Sequence, residues 1–584
     1  MNKLFIPLYS LLLLTIFYRS NAQSLESQVF KGPKFSTDDW VGTDALGRSL
    51  PTHEEVGDKR PGKLVGMFYY IWHGYHDNTV YDITKILKEN PENPEYGPKG
   101  KFHFWGEPEY GYYLPDDPWV IRHDLQMFAN ADIDFIFFDV TNNFTYLSTV
   151  KVLCEISLEM RKQGINTPEI CFLSNTKSGR VLNELYDEFY SKALFKELWF
   201  YWDGKPLILG HENDPVLRSE VKDFFTIKYS WAWTDTPKEP NHWQWLDTHP
   251  QDYGWSKSRQ IPEQIVVTTA NHPLQPMGKS FNNGEQPEVD KYYMTGYTDQ
   301  GLYFAEQWER ALEVDPQVIM ITQWNEWVAQ RFINDDKRKQ YGGRPIKEGD
   351  TFFVDAFTQE FNRDIAPMKG GHSDNYYYQL ISNIRKFKGM DKPPTYSTSS
   401  IRIDREFDDW NDVLPVYYDH VGDTLHRDFL GYDKTTQYTN KTGRNDIIEC
   451  RVNMEDDQVC FYAKTNNDLS PTSDKNWMLL FIDIDQNKST GWEGYDFVIN
   501  HGEVTKNSTS LKKWSGNEWI KVKKLKLAVA NNQLEFSIPW KTLGSTSFDF
   551  HWADNPGQLK DISGFFLDGD SAPDRRFNYH FQPN

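Results

Sequence analysis

A chain of 584 residues with a formal net charge of −21 is long enough for two or three domains. That charge argues against a nucleic-acid partner, which needs basic residues to replace phosphate counterions. Its 39% hydrophobic and 25% charged residues exclude a disordered chain, and 16% aromatics, with 21 Trp and 32 Tyr, supply flat apolar faces with polar handles of the kind on which sugars stack.

Residues 1–22 read as a secretory signal peptide. Lys3 precedes an apolar stretch, Leu4–Phe17, and the small-residue sequence SNA, with cleavage expected after Ala22. The apolar run is short for a membrane span, and no Cys follows it to carry a lipid. The mature chain is therefore expected to be secreted or periplasmic, without membrane insertion.

From residue 23 to 390, apolar runs of strand length alternate with amphipathic stretches. The strands expected are Val65–Trp72, Asp134–Thr141, Glu169–Thr176, Lys205–His211, Phe225–Trp233, Gln264–His272, Lys291–Tyr297 and Val318–Asn325. Helices are expected over Pro118–Asn130, Ser148–Gln163, Arg180–Lys196 and Tyr303–Val314. This α/β alternation predicts a (β/α)₈ TIM-like barrel. Cys154 and Cys171 lie in apolar segments and read as packing residues.

Residues 391–400 combine Pro393-Pro394 with a Ser/Thr cluster and read as a linker. Beyond it, short alternating segments such as IIECRVNM, QVCFYAKT and QLEFSIPW predict an antiparallel β-sandwich over residues 401–584. Cys450 and Cys460 flank a hairpin with its turn near Glu455 and Asp456. If they face each other across it, an exported protein permits a disulfide. In FIDIDQNKSTGWEGYDFVIN, the residues Asp483, Asp485 and Asn487 alternate as hard oxygen ligands do in calcium loops. The closing bidentate Glu is absent, and the competing reading is a plain Asp/Asn-rich turn.

In such a barrel the chemistry sits at the C-terminal ends of the strands. Those ends carry Trp72 and His73, Asp139, Asn175, His211, Trp231 and Trp233, His272, and Glu326. Glu326 lies between Trp324 and Trp327. Aromatic walls would desolvate its carboxyl and raise its pKa, as suits a general acid; the bland alternative is a buried pair with an Arg. Asp139 ends the run DFIFFD and either partners Glu326 or holds a neighbouring loop.

The motifs FYYIWHGY and TQWNEW resemble the outer strands of the endo-α-mannosidases of glycoside hydrolase family 99, over approximately residues 65–388. The resemblance implies a barrel, a secreted glycan-active enzyme and a catalytic role for Glu326. In that family a second catalytic Glu follows three positions later; here that position is Ala329, followed by Gln330. Candidates for the missing carboxyl are Asp139 and the later cluster of Asp355, Glu360, Asp364, His372 and Asp374, which is followed by Tyr376. Gly370 and Gly371 suggest a tight loop that could fold over the barrel mouth. The stretches IDREFDDW and WEGYDF resemble carbohydrate-binding modules of family 9, which implies sugar attachment by the C-terminal domain.

The sequence thus reads as a secreted glycoside hydrolase with a carbohydrate partner, Glu326 and Asp139 as its acid/base carboxylates, and no cofactor for catalysis beyond a structural Ca²⁺ in the C-terminal domain. Trp72, His73, Asn175, His211, Trp231, Trp233, His272, Trp324, Trp327, His372 and Tyr376 are its expected substrate-binding residues. The alternatives are a lyase or dehydratase acting on uronic-acid glycans, or a glycan-binding protein without chemistry.

Overall fold

The computed structural model describes residues 36–230 and 239–583. Its N-terminal half is built on seven parallel strands: β1 (Leu64–Tyr69), β2 (Phe135–Asp139), β3 (Glu169–Leu173), β4 (Lys205–Leu209), β5 (Thr226–Lys228), β6 (Gln264–Val267) and β7 (Val318–Ile321). Their order in the sheet is β5-β4-β3-β2-β1-β7-β6. Most are buried on both faces, which is why their sequences are continuous apolar runs. In β1, Gly66 is dictated by packing, because a Cβ there would overlap the Phe135 ring of the neighbouring strand.

The strand expected at Lys291–Tyr297 does not form. Turn hydrogen bonds between Asp290 and Met294 take up that backbone, and β6 pairs directly with β7, leaving no edge for an intervening strand. Between β5 and β6 the hydrogen bonds run through an inserted segment. Tyr229 bonds to Asn241 and Trp243, Asn241 bonds to Trp255, and Tyr253–Gly254 pairs antiparallel with β6.

The helices α1 (Pro118–Asn130), α2 (Leu147–Lys162) and α3 (Leu302–Val314) lie within a residue of their predicted bounds. Asp117 caps α1 by accepting the Trp119 N–H at 3.0 Å, with Pro118 at the first helical position. The helix predicted over residues 180–196 instead starts at Ser178, stops at Leu185 and runs into a π-turn, Tyr186–Tyr190. A further helix, α4 (Asn375–Lys388), follows the Gly370–Gly371 turn. Among the described residues no helix is long and apolar enough to cross a membrane.

The C-terminal half supplies eleven strands of a twelve-stranded antiparallel sheet folded over on itself. Phe461 packs its ring against Phe548 and Phe550, and Phe536 packs against Trp552, across the fold. Cys450 and Cys460 are both buried thiols and not a disulfide. Cys450 stands opposite Ala463 and Cys460 opposite Asn453. Three positions separate Cys450 from Asn453, so the two thiols point to opposite faces of the hairpin.

The two halves are tied together. The strand Trp40–Gly42, from the N-terminal half, pairs with Phe577–Tyr579 at the edge of the second sheet. Arg575 bonds Glu109 through two nitrogens at 2.8 and 2.9 Å, Arg427 meets Asp117 at 2.7 Å, and Arg576 meets Asp374 at 2.8 Å.

Candidate active site

The mouth of the parallel sheet is organised by Asn325. Its Oδ1 accepts the Tyr70 N–H at 2.8 Å and its Nδ2 donates to the Tyr70 carbonyl at 3.1 Å, clamping the end of β7 to the end of β1. The next residue, Glu326, is fixed through its backbone: its N–H donates to Asp364 Oδ1 at 2.7 Å, and its carbonyl accepts from Trp105 Nε1 at 3.1 Å. Its carboxylate accepts from Gln323 and lies 3.4 Å from the Arg363 guanidinium. Arg363 also holds Asp355 at 2.8 Å and lies over the Trp245 ring. The bland expectation of an arginine beside Glu326 is thus realised, within a larger constellation.

Electrostatics pushes Glu326 toward its protonated form. Burial, at 8% exposure, and then the negative charge of Asp355 raise its pKa well above the carboxylate range, against the pull of Arg363. Asp139 is also raised, first by burial; it is held by Trp72 Nε1 at 2.7 Å on one oxygen and by the Thr141 N–H and hydroxyl on the other. Asp355 is the more open of the three, with its side chain 30% exposed. The hydroxyl of Tyr70 is buried without a partner and feels the charges of both Glu326 and Asp139. His272 bonds the Val354 carbonyl and sits in the field of Asp355; burial lowers it to about 4, so its ring is neutral.

The predicted residues distribute as follows. Trp72, Asp139, His272 and Glu326 converge on this constellation. His73 stacks on Tyr70 with both ring nitrogens unpartnered, lowered to about 3 by burial. Asn175 and His211 form a pair of their own at 3.1 Å, on the ends of β3 and β4. Trp231 and Trp233 lie outside the described residues.

Trp324 does not wall the carboxyl, because its ring packs between Phe128 and Tyr377 in the helix layer. Trp327 likewise turns away, stacking on Trp105 at 4.8 Å and donating to the Tyr113 hydroxyl at 3.0 Å. His372 and Tyr376 are fully buried a layer below, around Lys279, whose ammonium donates to the Asp364 carbonyl at 2.8 Å. Burial is the first cause of both shifts in this pair, lowering Lys279 to about 7 and raising Asp364 to about 7. Of the later acidic cluster, Glu360 is consumed by Ser280, Gln286 and Thr298, and Asp374 by Arg576.

Sequence reasoning missed Tyr70, Trp245 and Arg363, and the aromatic strip that leaves the site. The strip runs from Trp72 to Tyr146, stacked at 6.1 Å, and on to Tyr75 and Phe144, which are 61% and 45% exposed. A cleft of about 370 Å³ opens beside these last three, flanked by Asn143, Arg180 and Glu184. The signal was present in HGYHDN and NNFTYL, whose aromatics fall in loops and not in strands.

In the second sheet, Asp483, Asp485 and Asp496 bring carboxylate oxygens within 4.8 Å of one another. Asn487, the third residue of the expected set, has its Oδ1 accepting from the Ser489 N–H and hydroxyl. Burial raises Asp483 to about 7, with the Lys488 charge opposing. The donors are all hard oxygens and fit Ca²⁺ in kind, although the neighbouring ammonium reduces the field such an ion would meet.

The molecule is therefore an α/β protein whose parallel strands end in a buried cluster of carboxylates, one arginine and aromatic rings. No family model and no curated protein matches the chain. Among the solved structures similar to it are two of the GH99 endo-alpha-mannosidase from Bacteroides thetaiotaomicron. One, in complex with bis-tris propane, has 16% identity over 55% of this chain and 97% of that one, with a TM-score of 0.31. The other has 15% identity over the same shares, with a TM-score of 0.32.

Proposed function

We propose that this protein is an exported glycan-active enzyme, a glycoside hydrolase on a barrel of seven parallel strands. The observation that carries the reading is the meeting of Glu326 and Asp355 across Arg363, with a strip of aromatic rings leading from buried Trp72 and Tyr146 to exposed Tyr75 and Phe144. Glycosidic cleavage needs one carboxyl that keeps its proton and one that has lost it. Glu326, buried and protonated, would donate to the leaving oxygen. Asp355, more open and ion-paired, would act on the opposite face as base or nucleophile. Asp139 has both oxygens occupied, and would hold Trp72 as a stacking surface and keep negative charge near Glu326.

Tyr75 and Phe144 would carry sugar units by ring stacking, backed by the buried Tyr146 and Trp72. The C-terminal sheet would serve sugar attachment, with Ca²⁺ bound by Asp483, Asp485 and Asp496. One observation favours elimination from a uronic acid as the second reading: the Nε and Nη1 of Arg363 and the Tyr70 hydroxyl have no partner, so an acidic sugar would meet both a cation and a proton carrier.

Incubation of the full chain with a broad panel of glycans, read by mass spectrometry, tests the proposal. Products that gain one water support hydrolysis. Unsaturated products without added water, absorbing in the ultraviolet, would transfer the site to the second reading. Binding with no product across the panel would overturn both.

A further inference from the structure

The seam between the two halves contains a second acidic cluster that the proposed reaction does not use. Asp419 and Asp423 flank the sequence HVG in a loop of the second half, and Asp570 joins them from a short strand near the C-terminus. One carboxylate oxygen of each lies within 4.8 Å of the others. The charges of Asp446 and Asp574 help to raise the three, after burial, while Asp446 is itself lowered by a side-chain hydrogen bond with Asp423. The outer two are satisfied: Asp446 accepts the Gly422 N–H and Asn466 Nδ2, while Asp574 accepts Gln126 Nε2 at 2.8 Å and Asn130 Nδ2 at 2.6 Å, both from α1.

Of the inner three, Asp419 and Asp423 are not. Asp419 is 4% exposed, and neither of its carboxylate oxygens has a side-chain donor; burial first, and then the charges of Asp574, Asp423 and Asp570, raise its pKa. Asp423 Oδ1 is likewise unpartnered, its Oδ2 accepting from Gln126 at 3.1 Å. Asp570 accepts the Ile447 N–H at 2.6 Å. Among the described residues, no lysine or arginine forms a salt bridge with any of the three. Arg122, whose charge lowers Asp423, spends its Nη atoms on Gln163 and the Val421 carbonyl. A cavity of about 50 Å³ adjoins Asp423, Asp570 and Asp574.

We infer that Asp419, Asp423 and Asp570 hold a Ca²⁺ ion that locks α1 of the first half against the second sheet. Unpaired carboxylates buried this close would repel strongly, and a cation removes the cost that desolvation and like charge impose. The donors are oxygen alone, which selects a hard ion. Ligands on opposite sides of a Ca²⁺ stand roughly 5 Å apart, so three oxygens within 4.8 Å of one another are close enough to share one ion. The site is independent of the Asp483 group, which belongs to a different loop of the sheet.

The test uses the full chain, stripped with chelator and titrated separately with Ca²⁺ and Mg²⁺, with thermal melting and metal content as readouts. Asp419→Asn and the pair Asp423→Asn/Asp570→Asn address this site; Asp485→Asn addresses the other. The expected result is retention of Ca²⁺ and a Ca²⁺-dependent rise in melting temperature. In the seam variants one equivalent is lost, and apparent affinity at this site falls at least about tenfold while Asp485→Asn leaves it intact. Without metal, the seam variants should melt at or above the stripped parent, because each Asn removes a repelling charge. That comparison shows that they fold. Equal Ca²⁺ content and equal Ca²⁺-dependent stabilisation in parent and seam variants would overturn the assignment, as would no Ca²⁺ effect on the parent. Mg²⁺ alone restoring stability would overturn the choice of ion.

Discussion

Glu326→Gln keeps the side chain's shape and its place beside Gln323, and removes the transferable proton. Two magnitudes follow. Loss of general acid catalysis lowers turnover by about 10²–10⁴-fold, equivalent to about 3–5 kcal/mol of barrier. The second effect is on stability. Burial, and then Asp355, hold the carboxyl well above its ordinary range, so the folded chain binds this proton more tightly than the unfolded chain. That contribution is fully present below the unfolded pKa, about 4.3, and is lost as pH rises through the raised folded value. Above that value, each unit of elevation disfavours the native state by about 1.4 kcal/mol. Glutamine has no such dependence. The variant should therefore melt close to the parent near pH ~4 and gain on it steadily as pH rises. Turnover on the identified glycan and melting across the pH range give both readouts. Parent-like turnover would refute the acid role, and a variant-minus-parent melting difference that stays flat with pH would refute the buried, protonated carboxyl.

Asp355→Asn removes a negative charge that raises Glu326; turnover should fall at least ~10²-fold, and any residual activity should lose its alkaline limb at lower pH, seen in a pH–rate profile. Trp72→Phe deprives the buried Asp139 of its 2.7 Å indole donor and should cost about 1–3 kcal/mol in denaturant melts, together with weaker substrate binding. Gly66→Ala drives a Cβ into the Phe135 ring and should destabilise the chain by about 1–3 kcal/mol or more, measured by urea unfolding. Tyr75→Ala and Phe144→Ala remove exposed rings of the strip. They should raise KM for long glycans more than for short ones with little change in melting, and equal effects on both lengths would remove the strip from the binding path.

What could be read from the sequence followed from burial and periodicity. Strands covered on both faces are continuous apolar runs, so β1 to β4, β6 and β7 were visible, and Asp139 and Glu326 were found by where those runs stop. The aromatic-rich Lys291–Tyr297 imitates a strand because Tyr and Met satisfy strand propensity, while the Asp290 carboxylate, bonding the backbone of Tyr292 and Met294, decides for a turn. Adjacency in sequence misled at Trp324 and Trp327. Beyond β7 the chain is steered by Asn325 clamping Tyr70, which sends Glu326 into the mouth and the two indoles into packing on either side. The partners of Glu326 come from a segment that returns over the mouth, with Arg363 37 positions later. No local period encodes that return. The Asn-Glu-Trp tripeptide therefore works as a unit of geometry: Asn aims the carboxylate, Trp anchors the turn against Trp105 and Tyr113, and Glu326 acquires its chemistry from Asp355 and Arg363, residues that only the fold brings beside it.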